Sequence, residues 1–353
     1  MMSFRDTPSF SHSILGHQAW NSAVVSHPQY SFLQSYEWGE FQKKCGRNVI
    51  RYCSRGSGGF INAAQVLSHP LPLSSWYGYC PRGPLVYKKD ATRFIEFLSA
   101  EMREQGALFV RLEPYAAPPS VPGIVQTSPI QPADIWVVDI SQSEESLLSS
   151  MRPKTRYNFG VSQKKGVSLQ VIASVNDRRY AHTLSSFIAM LSHTAGRHRF
   201  RLHPAEYYRE MIDFFMQSTD ETAHRISLRL YTAYHGTTAI AAIAVLYFGK
   251  IATYLHGGSN YEYRDLMAPY ALHVQAMKDA AALGFTLYDM GGIAHSDDPR
   301  DPWQGITRFK KGFSGYPLRY PGTFDIVFNS FFYSAYSKFR RIHSRLRSSM
   351  DRT

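Results

Sequence analysis

The stretch "MAPYALHVQAMKDAAALGFTLYDMGG", Met267 to Gly292, reads as a helix, a glycine stop and a short strand. Ala271, Val274, Met277 and Ala281 recur at helical spacing, and Gly284 stands where the helix must end. The same succession occurs earlier in the chain. In "DATRFIEFLSAEMREQG", Asp90 is placed as an N-cap. Phe94, Ile95, Leu98 and Met102 form the apolar stripe, Gly106 closes the helix, and "ALFVRLEP" follows as strand. Two strands precede each helix: "GFINAAQVL" and "WYGYCPRGPLVY" in the first copy, "TTAIAAIAVLYFG" and "KIATYLHGGSN" in the second. Hairpin, helix and strand, twice over, predict two α/β domains of one fold. The boundary is expected near "DISQSEESLLSSMRPK", where "IWVVDI" gives way to a serine-rich, acidic helix start. Residues 1–143 then form the first domain and 144–316 the second. The strand-like run in 317–329 comes after the second repeat and is expected to return to the first domain, leaving 330–353 as a basic helix or tail.

A chain of 353 residues suits two domains of ordinary size. Its composition is globular, and a formal net charge of +12 points to a polyanionic partner. Cys45, Cys53 and Cys80 lack metal-ligand spacing, and a sparse, odd count fits a reducing compartment. "MMSFRDTPSF" has no apolar core for a leader, and the longest apolar run, "AIAAIAVLYF", is too short for a bilayer. A soluble cytoplasmic protein is expected. His193, His198 and His203 are spaced by five, off one helical face and without a carboxylate, so no metal site is expected.

Five segments, in order, resemble the FemABX family, whose members transfer an amino acid from aminoacyl-tRNA to the peptide of a peptidoglycan precursor. They are "LQSYEWGEFQKKCG" through Gln34 and Trp38, "FVRLEP" through Glu113, and "MRPKTRYNFGVSQKKGV". The fourth is "MAPYALHVQAMKDAAALGFTLYDMGG" through Pro269, Tyr270, Asp289 and Gly291–Gly292, and the fifth is "FKKGFSG" followed by "YPGTFDIVFN". The resemblance implies an α/β fold of two GNAT-like domains in tandem, with mixed sheets flanked by helices. It implies a peptidoglycan precursor and aminoacyl-tRNA as partners. Relatives that take a soluble UDP-linked precursor hold its phosphates with a lysine four residues after the tryptophan; here Gln42 stands there, with Lys43 next. They also use an arginine before Pro-x-Glu-Tyr; here His203 has that place, with Arg201 two residues away. A lipid-linked precursor is therefore as open as a UDP-linked one.

Acetyltransferases of this fold cradle the CoA pyrophosphate on bare backbone N–H groups before the central helix. "YEYRDLMAPYALH" has no glycine there, and Pro269 removes a donor, so no CoA site and no other cofactor is expected. Aminoacyl transfer needs an amine and an activated ester brought together and an oxyanion stabilised. By the resemblance, Lys310 serves the oxyanion or the terminal tRNA phosphate, and Phe309 stacks on the terminal adenine. Glu113 and Asp289 end the two corresponding strands and are candidate bases. Trp38, Tyr207, Tyr254 and Tyr270 are placed in the precursor site. Arg152, Lys154, Arg156, Lys164 and Lys165 form a cluster without an acid, fitting the tRNA backbone. The tail carries six Lys/Arg among Phe331, Phe332, Phe339, Ile342 and Leu346, a pattern suited to peripheral membrane contact. Three other readings stay open: a tRNA-dependent transferase acting on protein N-termini, a GNAT N-acetyltransferase, and a non-catalytic RNA- or membrane-binding protein. Oligomeric state is not legible.

Overall fold

A computed structural model describes residues 9–13, 15–56, 59–198, 202–217 and 226–350. The chain divides into two units, Met1–Ala133 with Tyr320–Thr353, and Asp134–Arg319.

The first unit contains β1 (Ser9–His12), α1 (His17–Ser26), α2 (Tyr36–Lys44), β2 (Val49–Gly56), β3 (Gly59–Pro70), β4 (Trp76–Cys80), α3 (Ala91–Glu104), β5 (Phe109–Leu112) and β6 (Ile124–Thr127). The second contains β7 (Asp134–Asp139), α4 (Glu144–Ser150), α5 (Pro153–Lys164), β8 (Val167–Ile172), α6 (Tyr180–His198), α7 (Ala205–Met216) and β9 (Ser227–His235). It continues with β10 (Thr238–Phe248), β11 (Ile251–Ser259), α8 (Ala268–Ala282), β12 (Leu287–Gly292), α9 (Gln304–Lys310) and β13 (Tyr316–Arg319). The chain then re-enters the first unit with β14 (Thr323–Val327) and α10 (Ser330–Met350).

Each unit holds one seven-stranded mixed sheet, ordered β1-β2-β3-β4-β5-β14-β6 in the first and β13-β7-β12-β11-β10-β9-β8 in the second. Each sheet has one parallel pair, β4–β5 or β11–β12, and its other pairings are antiparallel. A single helix makes each parallel crossover, α3 or α8, as such a connection requires. The apolar stripe of α3 (Phe94, Ile95, Leu98, Met102) is buried against Val66, Val110 and Leu112; α8 buries Leu272, Val274 and Met277 among Val138, Val245 and Tyr288. Gly106 and Gly284 take positive φ of 83° and 81° just past the two helices, a conformation a Cβ disfavours. Asp90 occupies the N-cap of α3, but its carboxylate meets Asn62 rather than the helix amides.

Two expected boundaries move. "IWVVDI" does not close the first domain: it is β7 of the second sheet, paired on one side with β12 and on the other with β13. Asp134 to Val138 are buried throughout, as in a strand whose sheet is covered on both faces. The division therefore falls at 133/134 rather than 143/144. The run 317–329 is likewise shared. Residues up to Arg319 remain with the second sheet, where Pro317 sits on an edge strand that can spare its N–H. Thr323–Val327 inserts between β5 and β6.

Among the described residues no helix is long and apolar enough to cross a membrane.

Candidate active site

β11 and β12 pair in parallel only over Ile251–Thr253 and Leu287–Asp289. Beyond that point β12 bulges: its register against β7 shifts between Asp289 and Gly292, and Gly291 takes φ +75°. Asp289 Oδ1 accepts the Gly291 N–H at 2.7 Å and fixes the bend. β11 has its own irregularity beside Tyr254, at Ala244/Val245 of its partner.

Lys310 enters here. "GITRFKKGFSG" is not an extended loop: residues 304–310 are helix and Lys311–Phe313 a further 3-10 turn. Lys310 is therefore turned inward, 6% exposed, with Nζ donating to the Gly292 carbonyl at 2.6 Å. The Tyr254 ring centre lies 5.9 Å from the ammonium. A side chain at Gly291 would reach 3.6 Å from Nζ, so the glycine keeps the approach to the amine open. Burial pulls the Lys310 pKa down to about 8, opposed by the charge of Asp289. At neutral pH the amine is mostly cationic, one carbonyl satisfies one of its three donors, and it is poorly hydrated; such a group strongly stabilises developing negative charge. Lys311, one position on, meets Asp297 at 3.9 Å and is partly exposed.

Phe309 does not stand free for stacking. It packs edge-on to Tyr270 (5.0 Å), His273 (5.5 Å) and Phe313 (5.1 Å), and so forms a wall of the Lys310 site. His273 on α8 is a member that motif reading missed; only its place on the buried face of "YALHVQAM" marked it. Its Nδ1 and the Tyr288 hydroxyl are 3.0 Å apart, and its ring meets Tyr254 at 4.7 Å. Burial, with the Lys310 charge, lowers its pKa to about 3, so it is neutral at any working pH. Burial also raises the Tyr254 phenol to about 12.

The basic segment is braced against this same turn. Pro153 starts α5, the Arg152 N–H donates to the Gly312 carbonyl at 2.9 Å, and Gly312 lies so close to Thr155 that a Cβ would clash. Thr155, Asn158 and Ser162 face inward; Arg152, Lys154, Arg156, Lys164 and Lys165 are exposed. Their roles separate, however. Arg156 donates to the carbonyls of Ser149 and Met151 and so ties α4 to α5. Lys154 lies over the Tyr157 ring at 4.7 Å, and Lys165 donates to the Asp265 carbonyl at 3.0 Å.

The FemAB family model matches residues 16–119, 123–231 and 218–341, most of the chain and both units. The chain belongs to the FemAB family. Among its relatives, the "Lipid II:glycine glycyltransferase" of Staphylococcus saprophyticus is 19% identical over 388 residues, covering 89% of this chain and 92% of that protein. The crystal structure of FemX superposes with a TM-score of 0.76 at 18% identity, over 92% of this chain and 99% of that one. The C-terminal domain of a putative lysylphosphatidylglycerol synthetase from Agrobacterium fabrum gives 0.53 at 11% identity, over 88% and 90%. The fold is thus that of FemX, with two mixed α/β units in succession.

The remaining expected site residues of this FemAB chain fall in other places. Glu113 is buried with four donors on its carboxylate: Tyr79 hydroxyl (2.7 Å), Ile130 N–H (3.1 Å), Gln131 N–H (2.9 Å) and Thr323 hydroxyl (3.1 Å). A carboxylate so committed is a structural tie, not a base. Gln42 is also buried, on the inner face of α2, and does not stand where a phosphate would be met. Lys43 pairs with Glu40 at 2.9 Å and lines an open cleft with His12, Tyr36 and Arg51. Trp38 is half-buried between Phe32 and Phe41. His203 stacks on Tyr207 at 4.2 Å, and the neighbouring Tyr208 meets His256 at 5.1 Å. Arg201 lies outside the described residues.

Proposed function

We propose that this FemAB-family aminoacyltransferase moves an amino acid from aminoacyl-tRNA to the side-chain amine of a diamino acid in a lipid-linked peptidoglycan precursor, forming the amide of an interpeptide bridge. The observation that carries this reading is the buried Lys310 ammonium in the opening between β11 and β12, with the exposed basic face of α5 held against the same turn. An ester carbonyl placed at Nζ would have its oxyanion stabilised, while the tRNA backbone lies along Lys154, Lys164 and Lys165. Asp289 is the acid closest in role to the ammonium, keeping it charged despite burial.

Two features favour the lipid-linked precursor. Gln42 is buried where soluble-precursor enzymes place a phosphate-binding lysine, and the relative described above is named for lipid II. The C-terminal helix adds a third. Tyr333 and Tyr336 of α10 pack onto the first unit's core, while Phe331, Phe332 and Phe339 are exposed along a helix with several arginines and no acid. That face suits an anionic bilayer. No CoA takes part in this reading: the turn into α8 has Met267 at φ +55° and Pro269 where a bare glycine backbone would be needed.

The test supplies purified protein with a mixed pool of charged tRNAs and offers lipid-linked precursor, UDP-linked precursor, a peptide with a free N-terminus, or acetyl-CoA with amine. Transfer of labelled amino acid to the lipid-linked precursor, abolished by ribonuclease, is expected. Transfer to the peptide alone, or from acetyl-CoA, would overturn it. Substituting Phe331, Phe332 and Phe339 with serine should reduce sedimentation with anionic vesicles without unfolding the protein. Truncating α10 is no substitute, since it would strip Tyr333 and Tyr336 from the core.

A further inference from the structure

Asp134, the first residue of β7, is 3% exposed, yet its Oδ1 is buried without a hydrogen-bond partner. Its Oδ2 lies 2.9 Å from Nδ1 of His295, whose side chain is 79% exposed. A carboxylate on Nδ1 places the imidazole proton there and leaves Nε2 as an acceptor facing outward. The contrast with Glu113 is instructive: one buried carboxylate collects four donors, the other has one side-chain partner and an idle oxygen. A buried carboxylate this short of donors is costly unless a cation forms beside it at some stage.

The pair is tied to the Lys310 turn by consecutive backbone contacts. Gly292 C=O accepts from Lys310 Nζ, Ile293 N–H donates to Asp134 C=O at 2.9 Å, and Ala294 N–H donates to Thr307 Oγ1 at 2.8 Å. Gln304 Nε2 donates to Ser296 C=O at 2.7 Å. Gln304, Thr307 and Lys310 all belong to α9. Three residues of chain place His295 within roughly 10 Å of Gly292. Of the other charges of this loop, Asp298 pairs with Arg300 at 2.8 Å and Asp297 with Lys311 at 3.9 Å, while Asp301 Oδ1 accepts the Trp303 N–H at 2.8 Å.

Resting on the transferase reading above, we infer that His295, oriented by Asp134, is a catalytic residue that carries the proton during transfer. The acceptor ammonium first releases one proton to solvent. The neutral amine then attacks the ester carbonyl; the N–C bond forms, and the carbonyl electron pair moves to the oxygen beside Lys310. Nε2 of His295 takes a proton from the attacking nitrogen. The carbonyl re-forms, the bond from carbon to the ribose oxygen breaks, and His295 passes its proton to that departing oxygen. Amide and free tRNA hydroxyl leave, and the imidazole returns to neutral. Asp134 is a positioning residue: it holds the tautomer and balances the transient imidazolium.

The test is single-turnover transfer by the full chain, with charged tRNA and lipid-linked precursor. His295→Gln, at an exposed position, should slow the chemical step by about 10²- to 10⁴-fold with tRNA affinity unchanged. His295→Ala should be slow and partly restored by added imidazole. Asp134→Asn should slow transfer without that rescue. A His295→Gln rate within about threefold of wild type, a loss confined to KM, or an alanine variant that imidazole does not help overturns the assignment. Absence of transfer by the unaltered protein would instead sink the reading of function.

Discussion

The two sheets each contain one parallel pair followed by an acidic residue or an acidic bend, and they end in opposite ways. In the first, the end of β5 is sealed. Glu113 N–H donates to the carbonyls of Cys80 and Gly83, its carboxylate takes four donors, and Gln34 donates to the Pro81 carbonyl at 2.6 Å. In the second, a glycine bulge bends β12 and a lysine amine occupies the opening. The same geometric weakness, two parallel strands that part, is used once to join a domain and once to hold a charge. The distinction lies in whether the polar groups at the opening are saturated.

The largest expected effect tests the open end. Lys310→Met should cut turnover by about 10²- to 10³-fold, the usual cost of one lost transition-state donor. The same change should stabilise the fold. With its folded pKa at about 8 against an ordinary 10.5, the unfolded chain binds this proton more tightly, so stability rises with pH between those values. Below about pH 8 the buried ammonium is a standing cost of up to about 3 kcal/mol. Thermal melts should show the methionine variant ahead at pH 7 and its lead shrinking toward pH 10.5. A variant that melts lower at pH 7 would make Lys310 a structural tie like Glu113. Next comes the sealed end. Glu113→Gln should lower stability by about 2–3 kcal/mol in denaturant titrations while turnover per folded molecule is kept; a catalytic loss without a stability loss would reverse the assignment of the two ends. Replacing Lys154, Lys164 and Lys165 with glutamine should reduce the slope of log affinity for tRNA against log salt by about 2 to 3. An unchanged slope moves the tRNA away from the open end. The smallest effect is at Lys311→Met, which should change turnover and stability little, as expected of an exposed ion pair.

The repeat was legible because its signals are local: a helical stripe, a positive-φ glycine and a strand, found at Gly106 and Gly284 alike. Lys310 drew attention through the resemblance carried by "FKKGFSG", but its helical setting did not show, since that run has no periodicity long enough to read. Glu113 and Asp289 looked equivalent as strand-end acids. What separates them is a set of donors from Tyr79, Ile130, Gln131 and Thr323, two of them distant in the chain. The Asp134–His295 pair spans 161 positions and carries no motif. The boundary at 133/134 was missed for a related reason: "IWVVD" reads as strand in either sheet, and only the partners of β7 decide which.

The insertion of β14 between β5 and β6 has a consequence for synthesis. Arg111 on β5 is buried, and its Nε and Nη2 each donate to a carboxylate oxygen of Asp325 on β14 at 2.7 Å. A ribosome delivers Arg111 long before Asp325. Until nearly the whole chain has emerged, the N-terminal sheet lacks an inner strand and holds a guanidinium with no counter-charge. The inserted second unit, continuous from Asp134 to Arg319, can close first. The order of folding then runs against the order of translation, and the amino-terminal half waits, as a nascent chain in need of shelter, for its own last strand.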